Sequence, residues 1–181
     1  LDNAGGASNV TGLSDALVED NSLYIGNDPS STTSTANYNV AVGITTLDAI
    51  TTGDNNTAIG YAALNNNTEG ESNTASGYQA LNKNTSGSQN TASGYGALFE
   101  NTTGSYQTAI GYQVLYKNTT GSRNTASGVG ALYSNTKGDY NTASGMYALE
   151  KNTEGDYNTA TGYYALYANT TGSSNTASGA Y

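Results

Sequence analysis

The sequence predicts an all-β protein, a β-solenoid of stacked coils. Three observations carry that prediction: a strict seventeen-residue period, glycine at two fixed places in every period, and short stretches of alternating side chains between the glycines. Read in register, Asn56–Ser72, Asn73–Gln89, Asn90–Tyr106, Gln107–Arg123, Asn124–Tyr140, Asn141–Tyr157 and Asn158–Ser174 spell N-T-A-(S/I)-G-Y-x-A-L-x-x-N-T-x-G-x-x, and a degenerate copy, Asn39–Asn55, precedes them. Helical repeats need about 33 to 47 residues and propeller blades about 40 to 50, so this period fits one turn of a narrow coil. Each unit is too small to bury a core alone and must stack on its neighbours.

The elements follow in order along the chain. Leu13–Asp20 is a short amphipathic stretch with the helix-cap residues Ser14 and Asp15, and 27–37 reads as a polar loop carrying the only proline, Pro29. Between them Asn21–Gly26 alternates like a strand and ends in glycine, a divergent first rung. Residues 1–38 are therefore a lead-in, and 39–181 the repeat domain. The chain opens without Met at Leu1 and stops seven residues into a further copy at Asn175–Tyr181, which predicts a longer or processed product.

Within a rung, two strands are expected, N-T-A-S-G and Y-x-A-L, with turns at the fifth-position and fifteenth-position glycines, where positive φ carries no strain. Alternation sets the second and fourth positions on one face and the constant alanine, Ala41 to Ala177, on the other. Val40 with Val42, Thr57 with Ile59 and Thr108 with Ile110 place the second/fourth face inside, together with Leu47, Leu64, Leu81, Leu98, Leu115, Leu132, Leu149 and Leu166. The alanines then face a neighbouring chain. So thin a core, with one Phe, one Met and no Trp, calls for burial against partners, and a homotrimer is expected.

Composition excludes several functions. With no His and no Cys there is no histidine base, thiol nucleophile, imidazole or thiolate metal site, or disulfide. A net charge of −9 has the wrong sign for nucleic acid, and no apolar stretch approaches the roughly 20 residues of a membrane span. The acids, among them Asp54, Glu71, Asp139 and Asp156, form no catalytic pair and lack a calcium-repeat pattern. Neither an enzyme nor a cofactor is expected.

Candidate binding residues are the repeated tyrosines. Tyr61, Tyr78, Tyr95, Tyr112 and Tyr163 hold the sixth position, Tyr116, Tyr133 and Tyr167 the tenth, and Tyr106, Tyr140 and Tyr157 the seventeenth. Stacked about 4.8 Å apart, they form strips that grip sugars or proteins, or pairs that stabilise the stack. The sequons at Asn84, Asn101, Asn118 and Asn169 are candidate glycosylation sites, although Asn and Thr before Gly also make a good turn. Thr74 with Ser76, Thr91 with Ser93, Thr125 with Ser127 and Thr142 with Ser144 form a hydroxyl lattice. Such a lattice suits ice if it lies exposed.

Asn21–Gly26, Asn39–Gly43 and Asn56–Gly60 resemble the N-S-V-A-I-G signature of the left-handed β-roll heads of trimeric autotransporter adhesins. Asn56–Gly70 and Gln107–Gly121 resemble repeat regions of phage tail fibres, and Val10–Ser22 is similar to a fibre segment leading into such repeats. The resemblance implies a trimeric, elongated, receptor-facing rod, extracellular, on a cell surface or a virion. The alternative is an extracellular filament, glycosylated and self-assembling end to end.

Overall fold

The computed structural model describes residues 16–19, 21–26 and 35–180. The expected cap residues Ser14 and Asp15 and most of the expected loop lie outside the described residues. Two strands, β1 (Ala16–Glu19) and β2 (Ser22–Ile25), pair antiparallel, so the Ala16–Glu19 part of the expected capped stretch is a strand instead. Then come β3 (Val40–Val42), β4 (Thr57–Ile59), β5 (Thr74–Ser76), β6 (Thr91–Ser93), β7 (Thr108–Ile110), β8 (Thr125–Ser127), β9 (Thr142–Ser144), β10 (Thr159–Thr161) and β11 (Thr176–Ser178). From β2 onward every strand pairs in parallel with the next, one rung further along, with identical positions facing each other. The chain is a β-solenoid with one coil per repeat.

Each rung has one strand, not two. The stretch expected as a second strand is a turn in which the seventh and ninth positions take positive φ: Gln79 at 54° and Leu81 at 51° in one rung, Gln113 and Leu115 at 51° in another. An L-residue there costs roughly 1–2 kcal/mol. Burying the leucine returns about 1.5–3 kcal/mol, and the turn keeps its hydrogen bonds to the neighbouring rungs. The Gln79 N–H donates to the Tyr61 carbonyl at 2.9 Å, and the Leu64 N–H to the Ala80 carbonyl at 3.0 Å. Strand and turn alike are thus bonded along the stack.

The two glycines serve different ends. Gly77, at φ 137°, does make the corner after β5 as expected. The fifteenth-position glycines do not lie at positive φ, and their requirement is close approach. A Cβ on Gly121 would stand 2.6 Å from both the Gly138 carbonyl oxygen and Asn118 Oδ1. Nothing larger than hydrogen fits between rungs there.

The interior is reversed from the expectation. Ala41, Ala58, Ala75, Ala92, Ala109, Ala126, Ala143 and Ala160 are buried inside the coil of a single chain, while the residues at positions two and four point outward, Ile59 and Ile110 being almost half exposed. The alanines contact their own chain's core, so they no longer argue for a partner. With the eighth-position alanines and the leucines they form one continuous cluster. Small residues win this place because a coil one strand wide has no room for β-branched side chains on both walls.

Polar ladders complete the interior. The first-position Asn56 N–H donates to Asn39 Oδ1 at 2.8 Å, and its amide reaches the Gly70 carbonyl of its own rung at 2.8 Å. The twelfth-position Asn84 donates to Asn67 Oδ1 at 2.7 Å and to the Gly87 carbonyl at 2.8 Å. Each amide links two rungs and closes its own coil, satisfying buried backbone groups.

Leu115 is fully buried, as its constancy implies. Its neighbour Tyr116 is half-buried, stacked between Phe99 and Tyr133 at 4.9 and 5.3 Å. Leu115→Ala is expected to cost about 2–5 kcal/mol as a core truncation. Tyr116→Asn forfeits two ring contacts of about 0.5–1.5 kcal/mol each, more than a free surface change. Urea melts of both variants check the order, and a larger loss in Tyr116→Asn than in Leu115→Ala would contradict the assigned interior.

Candidate functional site

The outer ribs follow from the rung geometry. After the glycine corner the sixth position points outward, and register places one such side chain per coil in a line. Tyr61, Tyr78, Tyr95 and Tyr112 stack with centroids 5.2, 5.0 and 5.3 Å apart and planes within 16°. All four are 43–50% exposed. Their faces lie against one another, however, so solvent meets ring edges and hydroxyls. A strip that grips sugars by ring faces along its length is not what this rib presents. Tyr163 stands apart from the run, separated by Val129 and Met146, and meets Tyr164 edge-on at 4.5 Å.

The seventeenth position carries a second rib that sequence reasoning missed in part. Arg123 sits between Tyr106 and Tyr140, 5.2 Å from each ring centroid, and Tyr140 stacks on Tyr157 at 4.8 Å. A planar guanidinium replaces a ring without breaking the column. The signal was available, since Arg123 occupies a tyrosine position. On the tenth-position rib, Lys117 lies over Tyr133 and Lys151 over Tyr167, at 5.3 and 4.7 Å. Burial, and then the charges of Tyr133 and Glu100, push the Tyr116 phenol above its ordinary value of 10.0.

The candidate glycosylation residues lie elsewhere than expected. Asn84, Asn101 and Asn118 are fully buried members of the twelfth-position ladder, and a transferase has no access to their amides in the folded coil. Asn169 is half-buried, its amide donating to Asn152 Oδ1 and the Gly172 carbonyl at 2.8 and 2.9 Å. The sequon here is the by-product of an Asn that closes a turn.

The acids at position sixteen also act on the backbone. Asp139 accepts from the Ser122 N–H and Asp156 from the Asp139 N–H, both at 2.7 Å. Among the described residues no group of three or more metal-ligating side chains gathers, and no helix is long and apolar enough to cross a membrane.

Fold and ribs together define the class: a parallel β-solenoid with aromatic columns on its surface. Comparison of the chain with protein-family models, with curated proteins and with solved structures found no match.

Proposed function

We propose that the chain is the shaft of an adhesive surface fibre, extracellular on a cell or virion, with a structural and binding role in place of catalysis. The observation that carries this reading is the face at positions two and four. It runs straight across the strands from β3 to β11, outward-facing and without a single charged residue, while the acids and bases lie on other positions of the coil. An exposed, uncharged, in-register sheet face with Val40, Val42, Ile59 and Ile110 on it suits packing between copies. The net charge of −9 does not oppose such packing, because it is carried off this face. Three copies is the number that the resemblance to fibre repeats implies, and the tyrosine rib, beyond the glycine corner, stays outside the packed face.

The same face favours a second reading, ice binding. Its hydroxyls and methyls form a regular lattice, repeating about 4.8 Å along the stack and about 6.8 Å along each strand, and the lattice is exposed. One experiment separates the readings. In the double variant Thr91→Lys, Thr125→Lys, two charges stand on the face without touching the core. The fibre reading expects light scattering to give a trimer for the parent and a monomer for the variant. A monomeric parent that shapes ice crystals, with that activity lost in the variant, would replace it by the ice reading. End-to-end fibrils in electron micrographs, unaffected by the lysines, would favour the filament.

A further inference from the structure

The Tyr61–Tyr112 column stops at Val129, where the next ring would lie. Tyr95 covers one face of Tyr112, and the following rung supplies no ring for the other. In the rung of Val129 the seventh position has no side chain, at Gly130, and the tenth-position column passes from Tyr133 in that rung to Glu150 in the next. Val129, Gly130 and Glu150 meet in one notch of about 190 Å³, lined also by Tyr112, Gln113, Tyr133 and Tyr147. Gly130 keeps it open toward Tyr147, since a Cβ there would come 2.8 Å from that ring. Glu150 Oε2 is shielded from solvent and has no hydrogen-bond partner.

We propose that this notch is a binding subsite for one neutral or amino pyranose ring, the end of a glycan chain. This deepens the adhesive reading by naming its ligand class. The notch is smaller than the roughly 300 Å³ at which drug-sized clefts begin, so it takes a single ring. Aromatic walls suit the apolar face of a pyranose. The Gln113 amide both donates and accepts, and the Glu150 carboxylate offers an acceptor without a partner, so ring hydroxyls or an amine satisfy both. A sugar carboxylate would meet Glu150 as a like charge, which excludes uronic and sialic acids. Every other ring face of the Tyr61–Tyr112 column that a sugar could use is covered, apart from the face of Tyr61 toward Ile44.

The test uses methyl glycosides of a neutral hexose, an N-acetylhexosamine, a hexosamine and a hexuronic acid as probes, read by ligand-observed NMR on the whole chain. Val129→Tyr continues the column and fills the notch, and Tyr occupies this position in other rungs, so the coil is preserved. The expected result is binding of a neutral or amino glycoside, no binding of the uronide, and a loss of about tenfold or more in Val129→Tyr and in Glu150→Gln. Tyr78→Ala, within the column, leaves binding unchanged. Failure of every glycoside to bind, binding of the uronide alone, undiminished binding in Val129→Tyr, or equal loss in Tyr78→Ala would each overturn the site. Undiminished binding in Val129→Tyr would remove this notch yet leave the adhesive reading standing. The assembly of the fibre is decided separately by mass.

Discussion

Ala92→Glu unfolds the coil. The alanine is completely buried, on the inward side of β6, with Ala75 and Ala109 beside it in the adjacent strands. A glutamate there has neither space nor a cationic partner, because the bases of this chain lie on outward positions. Burying an unpaired carboxylate in an apolar interior costs on the order of 4 kcal/mol or more, and overpacking adds to it. Circular dichroism and urea melts of the variant should show loss of the cooperative transition or a large fall in its midpoint. Had the alanines faced a second chain, the same change would dissociate an oligomer into folded subunits. Folded monomers of the variant would therefore overturn the interior described above.

Much of the fold was legible, and the errors have physical causes. Period, single-chain stacking, the strand at N-T-A-S and the buried leucines all follow from register, because identical positions in a parallel stack must share one environment. Alternation separates the two faces of a strand but does not say which is inside. Val42, Ile59 and Ile110 suggested the wrong face, although exposed apolar residues are common and carry little weight. The better signal was invariance. Position four tolerates Val, Ile, Ser and Thr, while position three is alanine in every copy from Asn39 onward, which is how a tightly packed wall of fixed dimensions behaves. The turn at Y-x-A-L was illegible for another reason: leucine at positive φ goes against local preference, and only burial and the inter-rung hydrogen bonds hold it there.

The candidate site was legible as positions but not as chemistry. The columns at positions six, ten and seventeen contain the tyrosines that the repeat marks, yet whether a ring shows its face or its edge depends on side-chain torsions that no spacing reveals. The notch lies where Val129 interrupts the tyrosine column beside two variable positions. Val129, Gly130 and Glu150 each look like ordinary drift when read in separate columns, and only the stack of adjacent rungs brings them together. Arg123 is the converse case, a departure that preserves the column because a guanidinium is flat.

Asn101→Ala should cost nearly as much as a large core truncation. Asn101 Nδ2 donates to Asn84 Oδ1 at 2.8 Å and to the Gly104 carbonyl at 2.9 Å, while its Oδ1 accepts from Gln107 Nε2 at 2.9 Å and Asn118 Nδ2 at 2.8 Å. Gly104 keeps a second donor in Asn90. The Asn84 oxygen, the Gln107 amide and one proton of the Asn118 amide are left buried without that partner. At about 1–3 kcal/mol for each unsatisfied group, the loss is on the order of 3 kcal/mol or more. Thr103→Ala is the control, since it destroys the same sequon at an exposed residue and leaves the ladder intact. A denaturant melt in which Asn101→Ala falls steeply and Thr103→Ala stays within about 0.5 kcal/mol of the parent supports the internal ladder. Two equally small losses would return Asn101 to an outer rib and reopen it as a glycan acceptor.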